Sequence, residues 1–281
     1  MLCAACSTGG GAAPEPVDAA PTTTETPAAP TSTTAVTTTS VPLDTRSALR
    51  ERLEVELGDT ALAATVVEQV DDWLLPRIEQ MTGGDILGSD LLSYAPSTAA
   101  AASIDSLWVF SWGFRIESST ELGPVGLTDP PPPMEALQPG PINEQLARIA
   151  AAFVRRHPVP IIAQWEVARV LRELGVTDVI SVEPQIAPDG TVTYLSAPDV
   201  VTEGVRMAAE AGVEVGHAGV LCFEDHAVGC LLAAGKGGLE ADVPTGVTLP
   251  SDYDDQPGQL WTRSAADWFP VDILGRAFLL G

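Results

Sequence analysis

Basic residues are scarce in this chain. Fourteen Lys and Arg stand against 38 Asp and Glu in 281 residues, a formal net charge of −24 and a pI near 4.2. Such a chain has nothing to replace the counterions around phosphates, which argues against a nucleic-acid partner, and anionic lipid headgroups repel it. No run of 18 or more apolar residues occurs, so no segment reads as a bilayer-spanning helix. Several motifs that would name a reaction are also missing. No G-x-G-x-x-G follows the first predicted strand, no G-x-S-x-G elbow is present, and no H-E-x-x-H zinc motif occurs. What is abundant is apolar side chain, 45% of the sequence, enough to bury a sizeable core and to exclude disorder along the whole chain.

The N-terminus is the most legible part. Met1-Leu2-Cys3-Ala4-Ala5-Cys6 runs straight into Ser7-Thr8-Gly9-Gly10-Gly11. Small residues before a cysteine, then a Ser/Gly spacer, resemble the end of a bacterial lipoprotein signal. That resemblance implies that Cys6 is the mature N-terminus and carries diacylglycerol. It makes residues 1–6 the remnant of a signal whose front is cut off by a start codon set too far downstream. The implied location is the cell envelope, on the extracytoplasmic face of the plasma membrane with a lipid as anchor. The competing reading is a cytosolic protein with two incidental cysteines. Residues 7–42 are expected to be a disordered linker, because from Ala12 to Val41 the chain is almost only Ala, Pro and Thr. Such a segment has too few large apolar groups to offset its ordering entropy.

Residues 43–103 read as a helical extension packed on the core. Leu49, Leu53 and Leu57 recur every four residues and Gly58 ends that helix. Asp59 or Thr60 caps a second helix carrying Leu62, Val66, Val70, Trp73 and Leu74, with Pro76 as its stop. Residues 104–281 alternate apolar strands with amphipathic helices. Strands are expected at Leu107–Trp112, Val159–Ala163, Asp178–Val182, Ala218–Phe223 and Leu239–Val243. Helices are expected at Pro141–His157, Glu166–Leu174, Val200–Ala211, His226–Ala234 and Ala265–Leu280, the last kinked or restarted at Pro270. Strands rich in Val, Ile and Leu between helices imply a doubly wound, mostly parallel, Rossmann-like α/β sheet with helices on both faces.

The order of segments over roughly residues 104–245 resembles the ElyC/SanA/YdcF family. The resemblance rests on the strand around Leu107–Phe114, the Pro139-Gly140-Pro141-Ile142-Asn143-Glu144 helix entry, the Glu203-to-Gly212 helix, and Val220-Leu221-Cys222-Phe223-Glu224-Asp225-His226. It implies a Rossmann-like α/β domain of the bacterial envelope, linked to peptidoglycan and lipid-carrier metabolism, with S-adenosylmethionine as a known ligand of one member. This chain departs from the family at Gln164-Trp165-Glu166, where a Gly-Gly turn is usual, and at Gly229, where an Arg usually follows the His.

In an open parallel sheet, ligands sit beyond the carboxyl ends of the strands. Those ends supply Trp112 and Arg115, then Gln164 and Glu166, then Glu183, with Thr202, Glu203 and Arg206 opening the third helix; these are the expected ligand-binding residues. His226 is the candidate catalytic base, because the N-terminus of a helix favours the neutral imidazole, and Asp225 is its candidate partner; a capping role for His226 is the alternative. Glu183 and Asp225 could hold Mg²⁺ or Ca²⁺ through oxygen, unless they are solvated charges on an acidic surface. Cys222 and Cys230 are left as a pair, either a disulfide or two buried thiols. Two function classes remain. The first is an envelope-tethered lipoprotein that binds a small ligand at the strand ends and acts on a cell-wall or lipid-carrier intermediate. The second is a non-catalytic envelope binding or assembly protein with degenerate motifs.

Overall fold

The computed structural model describes residues 43–280 apart from 119, 128, 130 and 191. Three helices come first: α1 (Leu43–Leu57), α2 (Thr60–Gln69) and α3 (Leu74–Met81). Leu49 and Leu53 are fully buried, and Gly58 leaves α1 at φ +64°. Asp59 then accepts hydrogen bonds from the amides of Ala61 and Leu62, both at 2.9 Å, and so caps α2. The second helix is shorter than the apolar spacing predicts. It ends at Val70, where Asp71 accepts from the amides of Trp73 and Leu74 and starts a new helix. Pro76 therefore opens α3 instead of stopping α2; in a first turn its missing N–H costs nothing.

The remaining elements are β1 (Thr98–Ala99), β2 (Ser106–Val109), β3 (Arg115–Ile116), β4 (Leu137–Gln138), α4 (Gly140–Arg156), β5 (Ile161–Gln164), α5 (Trp165–Glu173), β6 (Val179–Val182), β7 (Gln185–Ile186), β8 (Val192–Thr193), α6 (Ala197–Glu210), β9 (His217–Leu221), α7 (Ala227–Lys236), β10 (Glu240–Pro244) and α8 (Ala265–Leu280). Six strands form one parallel sheet in the order β1-β10-β9-β2-β5-β6. From β2 the chain moves outward through β5 to β6, returns to β9 on the other side of β2, and continues to β10. That is a doubly wound sheet whose order reverses between β2 and β9. Right-handed crossovers then place α4 and α5 on one face and α6 and α7 on the other; α4 packs on α5, and α6 on α7. β3 and β4 form a small antiparallel pair, as do β7 and β8.

The α/β class and the parallel sheet agree with the sequence. The 43–103 segment, however, is not only helical: its β1 pairs with β10, Thr98 opposite Val243, and becomes the sixth strand. Two residues are too short for a periodic signal. α2 and α3 pack against α8, which also contacts α7. Pro270 lies within α8 without interrupting it.

One close approach fixes how α6 lies on the sheet. A Cβ on Gly204 would meet the Trp108 ring at 2.6 Å and the Ile162 methyl at 3.0 Å. Gly204→Ala should therefore push α6 off β2 and β5, at about 1–3 kcal/mol, read as a lower urea midpoint. An unchanged midpoint would mean that Trp108 repacks freely.

Candidate functional site

The chain leaves β2 sooner than expected, because side chains take over its hydrogen bonding. Ser111 donates its amide to Gln164 Oε1 at 3.1 Å, and Trp112 donates its amide to Asn143 Oδ1 at 2.8 Å. Asn143 Nδ2 donates in turn to the carbonyls of Gly113 at 2.7 Å and Pro139 at 2.6 Å. Gln164 ends β5 and Asn143 lies in the first turns of α4, so neighbouring elements grip the 111–113 turn from two sides. Gly113 sits at φ +60°, and a Cβ there would strike Thr262 Oγ1 at 2.7 Å. This turn forms the floor of the carboxyl edge of the sheet, beside the reversal in strand order.

Glu166 lies over that turn, in the first turn of α5, and has no exposed surface. Its Oε1 accepts a hydrogen bond from the Tyr194 hydroxyl, and Tyr194 also meets Ser111 Oγ at 3.1 Å. Its Oε2 is buried and without a partner. Burial is the main cause that pushes the Glu166 carboxyl up to about 8, against the pull of Tyr194, of its own backbone amide and of Ser111; Glu183 adds a smaller push in the same direction as burial. At neutral pH the group is a carboxylic acid with a proton to donate. The same burial, together with Glu166, raises the Tyr194 phenol well above its ordinary value. Phe114, Leu137 and Trp165 form a small apolar cluster beside the acid, and Tyr194 packs against it. A neutral acid, a phenol and a serine hydroxyl at the carboxyl edge can orient a polar ligand or pass a proton.

The crevice between β2 and β9 is filled. Trp112, after β2, stacks on Phe223, after β9, with ring centroids 4.3 Å apart. Tyr253 closes on Phe223 at 4.7 Å, and Trp268 of α8 meets Trp112 edge-on at 4.5 Å. Beside this stack an open depression of about 250 Å³ is lined by Pro141, Ile142, Gln145, Asp252, Tyr253, Asp254 and Asp255.

The predicted catalytic pair does not assemble. Asp225 accepts from the Tyr253 hydroxyl at 2.6 Å, because the turn carries it toward the 250–255 segment and away from the imidazole. His226 does open α7, half-buried, with Nδ1 buried and unpartnered. Burial, and then the charge of Arg276, lower it to about 4, so it is neutral at pH 7. Asp272 and Arg276 lie below it, an ion pair of 2.8 Å inside the core.

Other expected residues are placed elsewhere. Thr202, Glu203 and Arg206 are not at the edge. α6 begins at Ala197 with Ser196 and Asp199 as a capping box, so these three fall in the body of the helix. There Thr202 bonds the Pro198 carbonyl, and Arg206 pairs with Glu203 and Glu210. Arg115 is committed to Asp254, with two hydrogen bonds of 2.7 and 2.6 Å. Glu183 accepts from Ser181 Oγ at 2.6 Å, far from being a shared ligand with Asp225. Among the described residues no group of three or more His, Cys, Asp and Glu side chains comes together to hold a metal ion. Cys222 and Cys230 are free, buried thiols and not a disulfide; burial, with Cys222 alongside, pushes the Cys230 thiol well up. Cys6 and the linker lie outside the described residues. No helix among the described residues is long and apolar enough to cross a membrane.

Tyr194, Ser111, Asn143, Asp272 and Arg276 did not stand out in the sequence. Asn143 lies in the Pro139–Glu144 helix entry, whose sequence gives it no role, and nothing local marks Tyr194, which lies 28 residues from Glu166. No family model matches the chain, and comparisons with curated proteins and with solved structures also find no similar protein.

Proposed function

We propose that this chain is an envelope-tethered α/β protein, held by lipid on Cys6, that binds a small polar ligand at the carboxyl edge of its sheet. The resemblance to the ElyC/SanA/YdcF family points the same way and suggests a cell-wall or lipid-carrier intermediate as the ligand, with a divalent cation or S-adenosylmethionine as cofactor. The observation that carries the reading is Glu166. A fully buried carboxyl with one unpartnered oxygen sits at the strand ends, among a phenol and a serine hydroxyl. A carboxyl placed there for packing alone would be replaced by an apolar group at little cost, whereas a binding site needs it.

A second reading, a non-catalytic binding or assembly protein, is favoured by the Trp112–Phe223 stack in the crevice where such sheets ordinarily take their ligand.

Thermal unfolding of the full-length protein with Mg²⁺, Ca²⁺ or S-adenosylmethionine separates the two. A ligand at 100 times its Kd stabilises by about 2.7 kcal/mol, a rise in Tm of several degrees. The first reading expects such a rise with at least one of the three, and its loss in Glu166→Gln. No rise with any of them removes these cofactors and leaves the second reading.

A further inference from the structure

Tyr194 occupies an unusual position. It follows the β7–β8 hairpin, an arm whose residues 185–190 are all exposed, and precedes α6. Its hydroxyl reaches back over the edge to Glu166 and Ser111, and its ring packs on the cluster of Phe114, Leu137 and Trp165, 5.6 Å from Phe114 between centroids. Glu166 has no exposed surface, so nothing from solvent reaches its free oxygen while Tyr194 stays in place. The groups acting on the acid are few. Ser111 comes from the turn after β2, Tyr194 from the segment after β8, and Glu183, itself bonded to Ser181, from the end of β6.

We infer that Tyr194 controls access to the Glu166 site: its phenol holds the place that a ligand hydroxyl takes, and the site opens when Glu166 ionises. The inference rests on the reading of this edge as a ligand site, but the opening itself needs no ligand. The closed form keeps Glu166 out of water beside a second carboxylate and without a countercharge. The proton is therefore held more tightly in the closed form than in any form where the acid is hydrated. Loss of one proton must then favour the open form, by up to tenfold for each pH unit between the ordinary glutamate range and about 8, and no further above it. The group that replaces the phenol is expected to be an uncharged hydroxyl, because the ionised acid accepts from an O–H donor, as Glu166 Oε1 accepts from the Tyr194 hydroxyl in the closed form.

Hydroxyl-radical footprinting of the full-length protein between pH 5 and 9 reads the opening directly at the aromatic side chains. Oxidation of Trp165 and Phe114 should climb steeply from pH 5 to 8 and then level off, with Trp108 on β2 unchanged as the internal reference. Glu166→Gln should hold both residues at the low value throughout. Tyr194→Phe, which keeps the ring and loses the hydroxyl, should raise Trp165 oxidation several-fold already at pH 5. A flat profile in the wild type, an equal climb in Glu166→Gln, or a Tyr194→Phe profile identical to wild type would each overturn the gate. If the gate responds as expected while Mg²⁺, Ca²⁺ and S-adenosylmethionine leave Tm unmoved, the cofactors are wrong and the gate stands.

Discussion

Arg276→Ala should lower the stability of the folded protein by about 3–5 kcal/mol, the usual loss when one partner of a buried ion pair is removed. Arg276 is almost wholly buried in α8 and pairs with Asp272 at 2.8 Å. Its guanidinium also donates to the Ser93 carbonyl at 2.6 Å and the Leu91 carbonyl at 3.3 Å, and lies 4.1 Å from the Tyr94 ring. One side chain thus ties α8 to the 91–94 segment, and with it the N-terminal helices to the sheet. Its loss leaves two carbonyls unsatisfied and a carboxylate buried without a countercharge. Burial already pushes Asp272 up to about 6 while Arg276 pulls it down. Without Arg276 the acid rises further, so the damage should be larger at pH 8 than at pH 5, where Asp272 can take up a proton. For a domain of this size the fall in Tm is roughly 10 °C at neutral pH. The double variant Asp272→Leu/Arg276→Met, with no charge left to bury, should regain much of it. A Tm within 3 °C of wild type for Arg276→Ala would show that the pair holds nothing together.

This cluster also shows why the sheet was legible in the sequence and the interior polar groups were not. Strands such as Ala218–Phe223 and Val159–Ala163 announce themselves by composition, since a strand covered on both faces must be apolar throughout. The strand boundaries differ from the expected ones by no more than three residues, and at β2 the cause is visible. The apolar run predicts β2 as far as Trp112, but the strand stops at Val109, because Gln164 and Asn143 bond the amides of Ser111 and Trp112 that a neighbouring strand would otherwise take. Competition from side chains distant in sequence leaves no periodic trace. Glu166 and Gln164 could be placed at the edge because position after a strand is a local property. Their partners could not, because Tyr194 and Ser111 reach the site through the path of the β7–β8 arm and the 111–113 turn. Asp225 illustrates the opposite failure. Adjacency to His226 suggested a pair, but the 3₁₀ turn over Glu224–His226 points Asp225 to Tyr253 instead. For Arg206 and Glu203 the helix start alone makes the difference: a capping box at Ser196 sets the first turn three residues earlier than the apolar spacing predicts.

Glu166→Gln should stabilise the protein against urea at pH 7–8 and change little near pH 4.5. The amide keeps the shape and the neutral charge of the protonated acid; its oxygen can accept from Tyr194 and its nitrogen takes the place of the protonated Oε2. The sign follows from the proton balance. The folded state holds Glu166 protonated up to about pH 8, whereas the unfolded state releases that proton near the ordinary glutamate value of about 4.3. The folded form therefore loses ground as pH rises between those two values, by up to about 1.4 kcal/mol per unit for one proton, and the glutamine variant does not. His226 and Asp272 titrate in both proteins and cancel in the difference. Where that difference stops growing carries further information. If Tyr194 never leaves the acid, the gap widens until about pH 8 and reaches several kcal/mol. If Tyr194 swings away, Glu166 ionises in water long before the whole protein unfolds, and the gap stops at the free energy needed to open the arm. The plateau of the urea series and the footprint of Trp165 then measure one equilibrium by two routes, and they must give the same opening constant. No gap at any pH would mean that Glu166 is ionised in the folded protein, and the buried neutral acid that holds the closed form would be lost.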